Sequence, residues 1–161
     1  MLAKAEPCAH PLRVPIPQFN EHGLLPEGVH DCTMAELAAR VGNFQSSDRR
    51  PQLFARLERF VAELRRGGFA RELVVDGSFV TAKPAPNDID LILVMPADWD
   101  LAADLTPDHY NLISKKRVRN RFGFDMLLVC EQSADYQRGV KFFQSVRDRS
   151  HLRKGLLRLR L

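Results

Sequence analysis

Between Pro86 and Pro96 the chain reads Asn87-Asp88-Ile89-Asp90-Leu91-Ile92-Leu93-Val94-Met95, a short apolar run with two aspartates at alternate positions. Its brevity, its β-branched content and its flanking prolines favour a strand buried on both faces over a helix. Side chains alternate along a strand, so Asp88 and Asp90 point the same way, with Cα atoms roughly 6 to 7 Å apart. Two like charges side by side on a buried strand are costly unless a cation sits between them. Carboxylates at that separation suit Mg²⁺ (or Mn²⁺), which takes its remaining ligands from water and substrate phosphates.

Upstream, Leu73-Val74-Val75 reads as a strand ending at Gly77. There a missing Cβ lets backbone N–H groups approach a phosphate, and Ser78 can donate its hydroxyl. Nine residues separate Ser78 from Asp88, enough for a short turn or helix that returns this cradle over the aspartates.

The pattern of Gly77, Ser78, Asp88, Ile89, Asp90 and Leu91 resembles the signature of the DNA polymerase β-like nucleotidyltransferase superfamily, in its small, uncharacterised bacterial branch. The resemblance covers about residues 69 to 130. It implies a nucleotidyltransferase-like α+β fold and a third carboxylate on a later strand. Asp125, the lone acid in Phe122-Gly123-Phe124-Asp125-Met126-Leu127-Leu128-Val129-Cys130, is the candidate, since an acid in so apolar a run is expensive without a partner or a metal. Three such acids would hold two divalent ions, one activating the attacking oxygen and one steadying the triphosphate.

The activity so implied is transfer of a nucleoside monophosphate from a nucleoside triphosphate (NTP) to an acceptor hydroxyl on a protein, an RNA end or a small molecule. Gly77 and Ser78 would hold the outer phosphates, and Asp125 would help draw the acceptor's proton. Two positions depart from the pattern. Asp76 stands where an apolar residue is usual, and Phe79-Val80-Thr81 replaces a basic residue that many small members carry, so that triphosphate contacts from this loop are either weaker or supplied by Lys83. The alternative is a catalytically inactive protein of the same fold acting as a binding or antitoxin-like regulatory partner. A plainer reading of the acids, strand starts on an exposed face, stays open beside both.

With 161 residues, 45% of them hydrophobic, the chain can bury one sizeable core, which predicts a single domain. Net charge is +4 but uneven: residues 111–161 carry 13 Lys and Arg against 4 acids. A basic half opposite clustered aspartates suits an anionic co-substrate, a nucleotide or nucleic acid, and makes Lys115, Lys116 and Arg117 candidate nucleotide-binding residues. A solvated basic face is the bland counterpart, and a nucleic-acid-binding module would lack an aromatic stacking series. The three cysteines, Cys8, Cys32 and Cys130, offer no disulfide framework and suit a reducing compartment. Cys8 with His10, and His30 with Cys32, do not have the usual zinc-ligand spacing. No apolar run reaches signal-peptide or membrane-spanning length, so a cytoplasmic location is expected and no membrane partner.

Residues 1–32 are rich in Pro, Gly and His and predict an extended arm without regular structure, wrapping the core through Leu12, Val14, Ile16, Leu24 and Leu25. Residues 33–161 form the domain. Thr33 with Glu36 is a capping box before a short helix over Met34 to Val41. Leu53, Phe54, Leu57, Phe60, Val61 and Leu64 predict a longer helix that Ser47 or Asp48 caps and Gly67-Gly68 ends. Thr106-Pro107-Asp108 starts a helix running to Arg119, and Ser133 caps another over Ala134 to Asp148. Apolar and basic residues alternate through Lys154 to Leu161, predicting a last, one-sided strand. Together these elements predict an α+β domain with a small mixed sheet backed by helices.

Overall fold

The computed structural model describes residues 14–43, 47–100 and 102–161. The first strand, β1 (Gly28–Cys32), falls within the segment expected to lack regular structure. It pairs in parallel with the last strand, from Gly28 opposite Gly155 to Cys32 opposite Leu159. Its polar His30 and Asp31 hide it from pattern reading, because its stabilisation comes from a partner more than 120 residues away. Ile16, Leu24 and Leu25 are buried as expected, whereas Val14 is exposed; Leu12, Cys8 and His10 lie outside the described residues.

Thr33 caps α1 (Met34–Leu37) with both halves of the capping box, and the chain then loosens into a π-helical turn over Ala38–Gly42. Helix α2 (Arg49–Gly67) buries Leu53, Leu57, Phe60, Val61 and Leu64 and ends at Gly68 in the left-handed region. Asp48 precedes it without a side-chain capping bond. Strands β2 (Glu72–Asp76) and β3 (Asp90–Met95) follow, paired antiparallel.

The single helix expected from Thr106 to Arg119 is two, α3 (Pro107–Ile113) and α4 (Lys115–Phe122). Ser114 divides them: its extended backbone ends α3, and its hydroxyl accepts from the Arg117 N–H to cap α4. A serine in a helical pattern offers either continuation or a new start, and packing chose the start. Strand β4 (Asp125–Cys130) lies parallel to β3. Helix α5 (Ala134–Phe143) stops five residues before the expected Asp148. Strand β5 (Gly155–Arg160) then inserts between β1 and β2. Its Leu157 and Leu159 join the main core; on its other face Leu156 is buried, while Arg158 pairs with Asp31 at 2.6 Å, so the strand is only partly one-sided.

The protein is thus α+β, the described residues forming one open, mixed, five-stranded sheet in the order β1-β5-β2-β3-β4 with five α-helices around it. One face, through Leu73, Val75, Leu91, Leu93 and Met126, joins the main core with α2 and with Leu112, Val118 and Phe122 of α3 and α4. The other carries Val74, Ile92, Val94, Val129 and Leu156 under Tyr136, Val140 and Phe143 of α5. Among the described residues no helix is long and apolar enough to cross a membrane.

Candidate active site

Strand β2 ends at Asp76, and the chain turns at Gly77, whose φ is +89°. A Cβ there would lie 2.8 Å from the Asp88 carbonyl oxygen and 3.1 Å from the Asp90 nitrogen, so the close approach of the turn to β3 requires glycine. A 3₁₀ turn over Ser78–Val80 follows. The Ser78 hydroxyl donates to Asp88 Oδ1 at 2.8 Å, and its N–H donates to the same oxygen at 3.1 Å. Asn87 N–H in turn donates to Ser78 Oγ at 2.9 Å. Gly77 and Ser78 are therefore stitched to the start of β3, as their spacing suggested.

Two arginines at the start of α2 hold the intervening loop. The buried guanidinium of Arg50 donates to the carbonyls of Val41, Phe79, Thr81 and Lys83. Arg49 donates to those of Pro86 and Asn87 at 3.1 and 2.7 Å. Buried polar groups without partners are costly, so this set of bonds fixes where the loop runs. Sequence reading missed both residues, since an Arg-Arg pair in the first turn of a helix looks like solvated charge.

Strand register sets the acids in a row. Asp76 of β2 is opposite Asp90 of β3, which is opposite Asp125 of β4. By strand alternation all three share the face that carries α5. Asp88, two residues before Asp90, adds a fourth carboxylate whose charge acts on Asp90. Burial pushes the Asp90 carboxyl up to about 6, helped by the charges of Asp88, Asp76 and Asp125 and opposed by Lys154. Asp76 is buried and also shifted upward, chiefly by desolvation, with Lys154 pulling the other way.

The Lys154 ammonium stands 2.7 Å from Asp76 Oδ1, both side chains being largely buried. Because β5 runs antiparallel to β2, its first residues come beside the end of β2. Lys154 is 78 positions from Asp76, and nothing local in the sequence links the two. At the other end of the row, Asp125 is exposed and accepts from Arg119 at 2.6 Å.

A cleft of about 600 Å³ opens over these groups. Gly77, Ser78, Lys83, Asn87, Asp88 and Asp90 line it, together with Asp76 and Lys154. The opposite wall comes from Phe142, Phe143, Val146 and Arg147, at and beyond the end of α5. Asp125 is Asp90's neighbour in the sheet but does not line the cleft. Lys115, Lys116 and Arg117 also lie outside it. They begin α4, roughly 12 Å of helix from the end that leads to Asp125. The basic residue that α4 brings to the acid row is Arg119.

The oxygen-only donor set of Asp88, Asp90 and Asp125 fits a hard divalent cation, and the upward shift of Asp90 marks a place short of positive charge. As the side chains stand, no three acids, histidines or cysteines among the described residues form a group that could hold a metal ion. Asp88 is engaged by Ser78, Asp125 by Arg119 and Asp76 by Lys154. The Arg119–Asp125 pair is well exposed, and such pairs are worth about 0 to 1 kcal/mol, so a cation could displace it at little cost.

Comparison with curated proteins and with solved structures found no match for the chain. Residues 17–160, which include the whole sheet, the Gly77–Ser78 turn and every acid of the row, match the family of unknown function DUF6932, and the chain belongs to that family.

Proposed function

We propose that the cleft is a metal-dependent nucleotidyltransferase site, transferring a nucleoside monophosphate from an NTP to an acceptor hydroxyl. The observation that carries this reading is the Gly77–Ser78 turn bonded onto Asp88, with Asp90 and Asp125 in register beside it on one face. Bound Mg²⁺ or Mn²⁺, held by Asp88, Asp90 and Asp125, would neutralise charge on the phosphates and on the attacking and leaving oxygens. The Gly77–Ser78 turn would orient the outer phosphates, with Lys83 and Lys154 supplying positive charge nearby. Asp125, at the exposed end of the row, would accept the acceptor's proton as its oxygen bonds to the α-phosphorus and pyrophosphate leaves. Positioning and charge neutralisation would supply most of the rate. An NTP donor suits a cytoplasmic location, and the acceptor would be a protein, an RNA or a small molecule.

One observation favours a second reading, a nucleotide-binding or antitoxin-like regulatory protein without turnover. Two acids of the row, Asp76 and Asp125, are already neutralised by the protein's own Lys154 and Arg119.

Incubation with each labelled NTP, Mg²⁺ or Mn²⁺, and cellular protein and RNA separates the two. Transfer is expected with the wild type and should fall by about 10² or more in Asp88→Asn and Asp90→Asn. Tight nucleotide binding without transfer would favour the second reading. Absence of both binding and transfer would remove the nucleotide from this cleft altogether.

A further inference from the structure

Phe142 is 74% exposed, although it sits in the last turn of α5, where apolar side chains have the second core to enter. Its neighbour Phe143 takes that course, packing against the second core with its ring centroid 5.7 Å from that of Phe142. The Phe142 ring instead stands on the wall of the cleft, facing solvent. An exposed ring beside a row of carboxylates has no use in packing.

We propose that Phe142 is a stacking platform for the base of the nucleotide bound in this cleft. The proposal rests on the nucleotidyltransferase reading of the cleft and supplies what that reading lacks, a grip on the base. The lining selects this occupant. An apolar ligand covering Phe142 and Val146 would also bury the Asp88 and Asp90 carboxylates without supplying a cation to them. A simple phosphate or sugar phosphate carrying a divalent cation would satisfy the carboxylates and leave the ring uncovered. A nucleotide answers both, with a flat π-face at one end and a polyanion at the other, and the cleft volume lies within the range of small-molecule sites. Beside the ring, Phe143 and Val146 offer no hydrogen bonds to base edges, the Ser145 hydroxyl is already bonded to the Lys141 carbonyl and to Arg153, and Arg147 adds positive charge. Stacking alone is tolerant of base identity, so purine and pyrimidine nucleotides should both bind.

The test is calorimetric titration of Mg·ATP, Mg·CTP and Mg·tripolyphosphate against the wild type, Phe142→Ala and Phe142→Trp. Phe142→Ala should weaken both nucleotides about tenfold or more while leaving tripolyphosphate within about twofold. Phe142→Trp should keep nucleotide affinity, and its indole emission should be quenched by ATP and CTP but not by tripolyphosphate. Melting curves check that the exposed substitutions leave the fold intact. Nucleotide affinity unchanged in Phe142→Ala would overturn the platform while leaving the cleft as a nucleotide site. An equal loss of tripolyphosphate binding would also overturn it, by showing a structural effect. If neither nucleotide nor tripolyphosphate binds the wild type, the cleft reading fails, and the platform with it.

Discussion

On the face of the sheet packed by α2, β2 and β3 present only buried apolar side chains, Leu73, Val75, Leu91, Leu93 and Met95. Under α5 the same strands present Val74, Ile92 and Val94, and then run into Asp76 and Asp90. The two covering helices differ in reach. Helix α2 has 19 residues and spans about 28 Å, whereas α5 has ten and spans about 15 Å. A six-residue strand is about 20 Å long, so α2 can cover β3 end to end and α5 cannot. Acids that would be ruinous under the long helix stand at the open end of the face with the short one. Even there Asp76 is buried deeply enough to need Lys154.

The largest expected effect separates the two faces by stability. Phe60 is fully buried on α2 and packs against Phe122 and Phe124, with ring centroids 5.0 and 6.1 Å away. Phe60→Ala should cost about 3 to 5 kcal/mol in urea unfolding, whereas Val140→Ala on half-buried α5 should cost only about 1 kcal/mol. Equal losses would mean that the two faces are equally core and would break the comparison.

A smaller effect is expected where charge enters the thinner face. Lys154→Met leaves Asp76 buried without its cation and should destabilise by about 3 kcal/mol at neutral pH. The loss should shrink in mild acid, because Asp76, already shifted upward, can then take a proton. Asp76→Asn combined with Lys154→Met should recover much of the stability in the same unfolding assay. Failure of the double variant to recover would mean that Lys154 stabilises through its packing and not through Asp76.

The smallest effect has the opposite sign. Asp90 carries a folded-state pKa of about 6 against an ordinary 3.8, so between these values the folded protein holds a proton that the unfolded chain has lost. Stability from this group is therefore fully present below about pH 4 and lost as pH rises through 6. Asp90→Asn should match the wild type in acid and exceed it by about 1 kcal/mol at pH 7, a figure discounted because the carboxyl is only half buried. Thermal melts across pH 4 to 7.5 in metal-free buffer measure the crossover. A variant less stable than the wild type at pH 7 would show that Asp90 serves as a structural partner.

Much of the site could be read from residues close together in the chain. Gly77, Ser78, Asp88 and Asp90 lie within fourteen positions and meet as their spacing suggested, because they flank the adjoining ends of two paired antiparallel strands. Asp125 could be found as a lone acid in an apolar strand, but its exposure and its tie to Arg119 could not. Lys115, Lys116 and Arg117 attracted attention as a run of charge, yet a run says nothing about which end of a helix meets the cleft. Arg50 and Lys154 were illegible, each being one more basic residue in a basic chain until its buried surroundings are known.

The sequence by itself determined the kinds of element and their apolar faces: the stripe of α2, the capping box at Thr33, the alternation of β3 and the turn at Gly77. Each depends on a periodicity or backbone preference acting within a few residues. Only the tertiary structure decided that residues 28–32 are a strand, that β5 lies between β1 and β2, and that Asp76, Asp90 and Asp125 stand in one row with Lys154 at its side. Strand order and register join segments far apart in the chain, and they are selected by the burial of the whole sheet, which no local pattern of residues encodes.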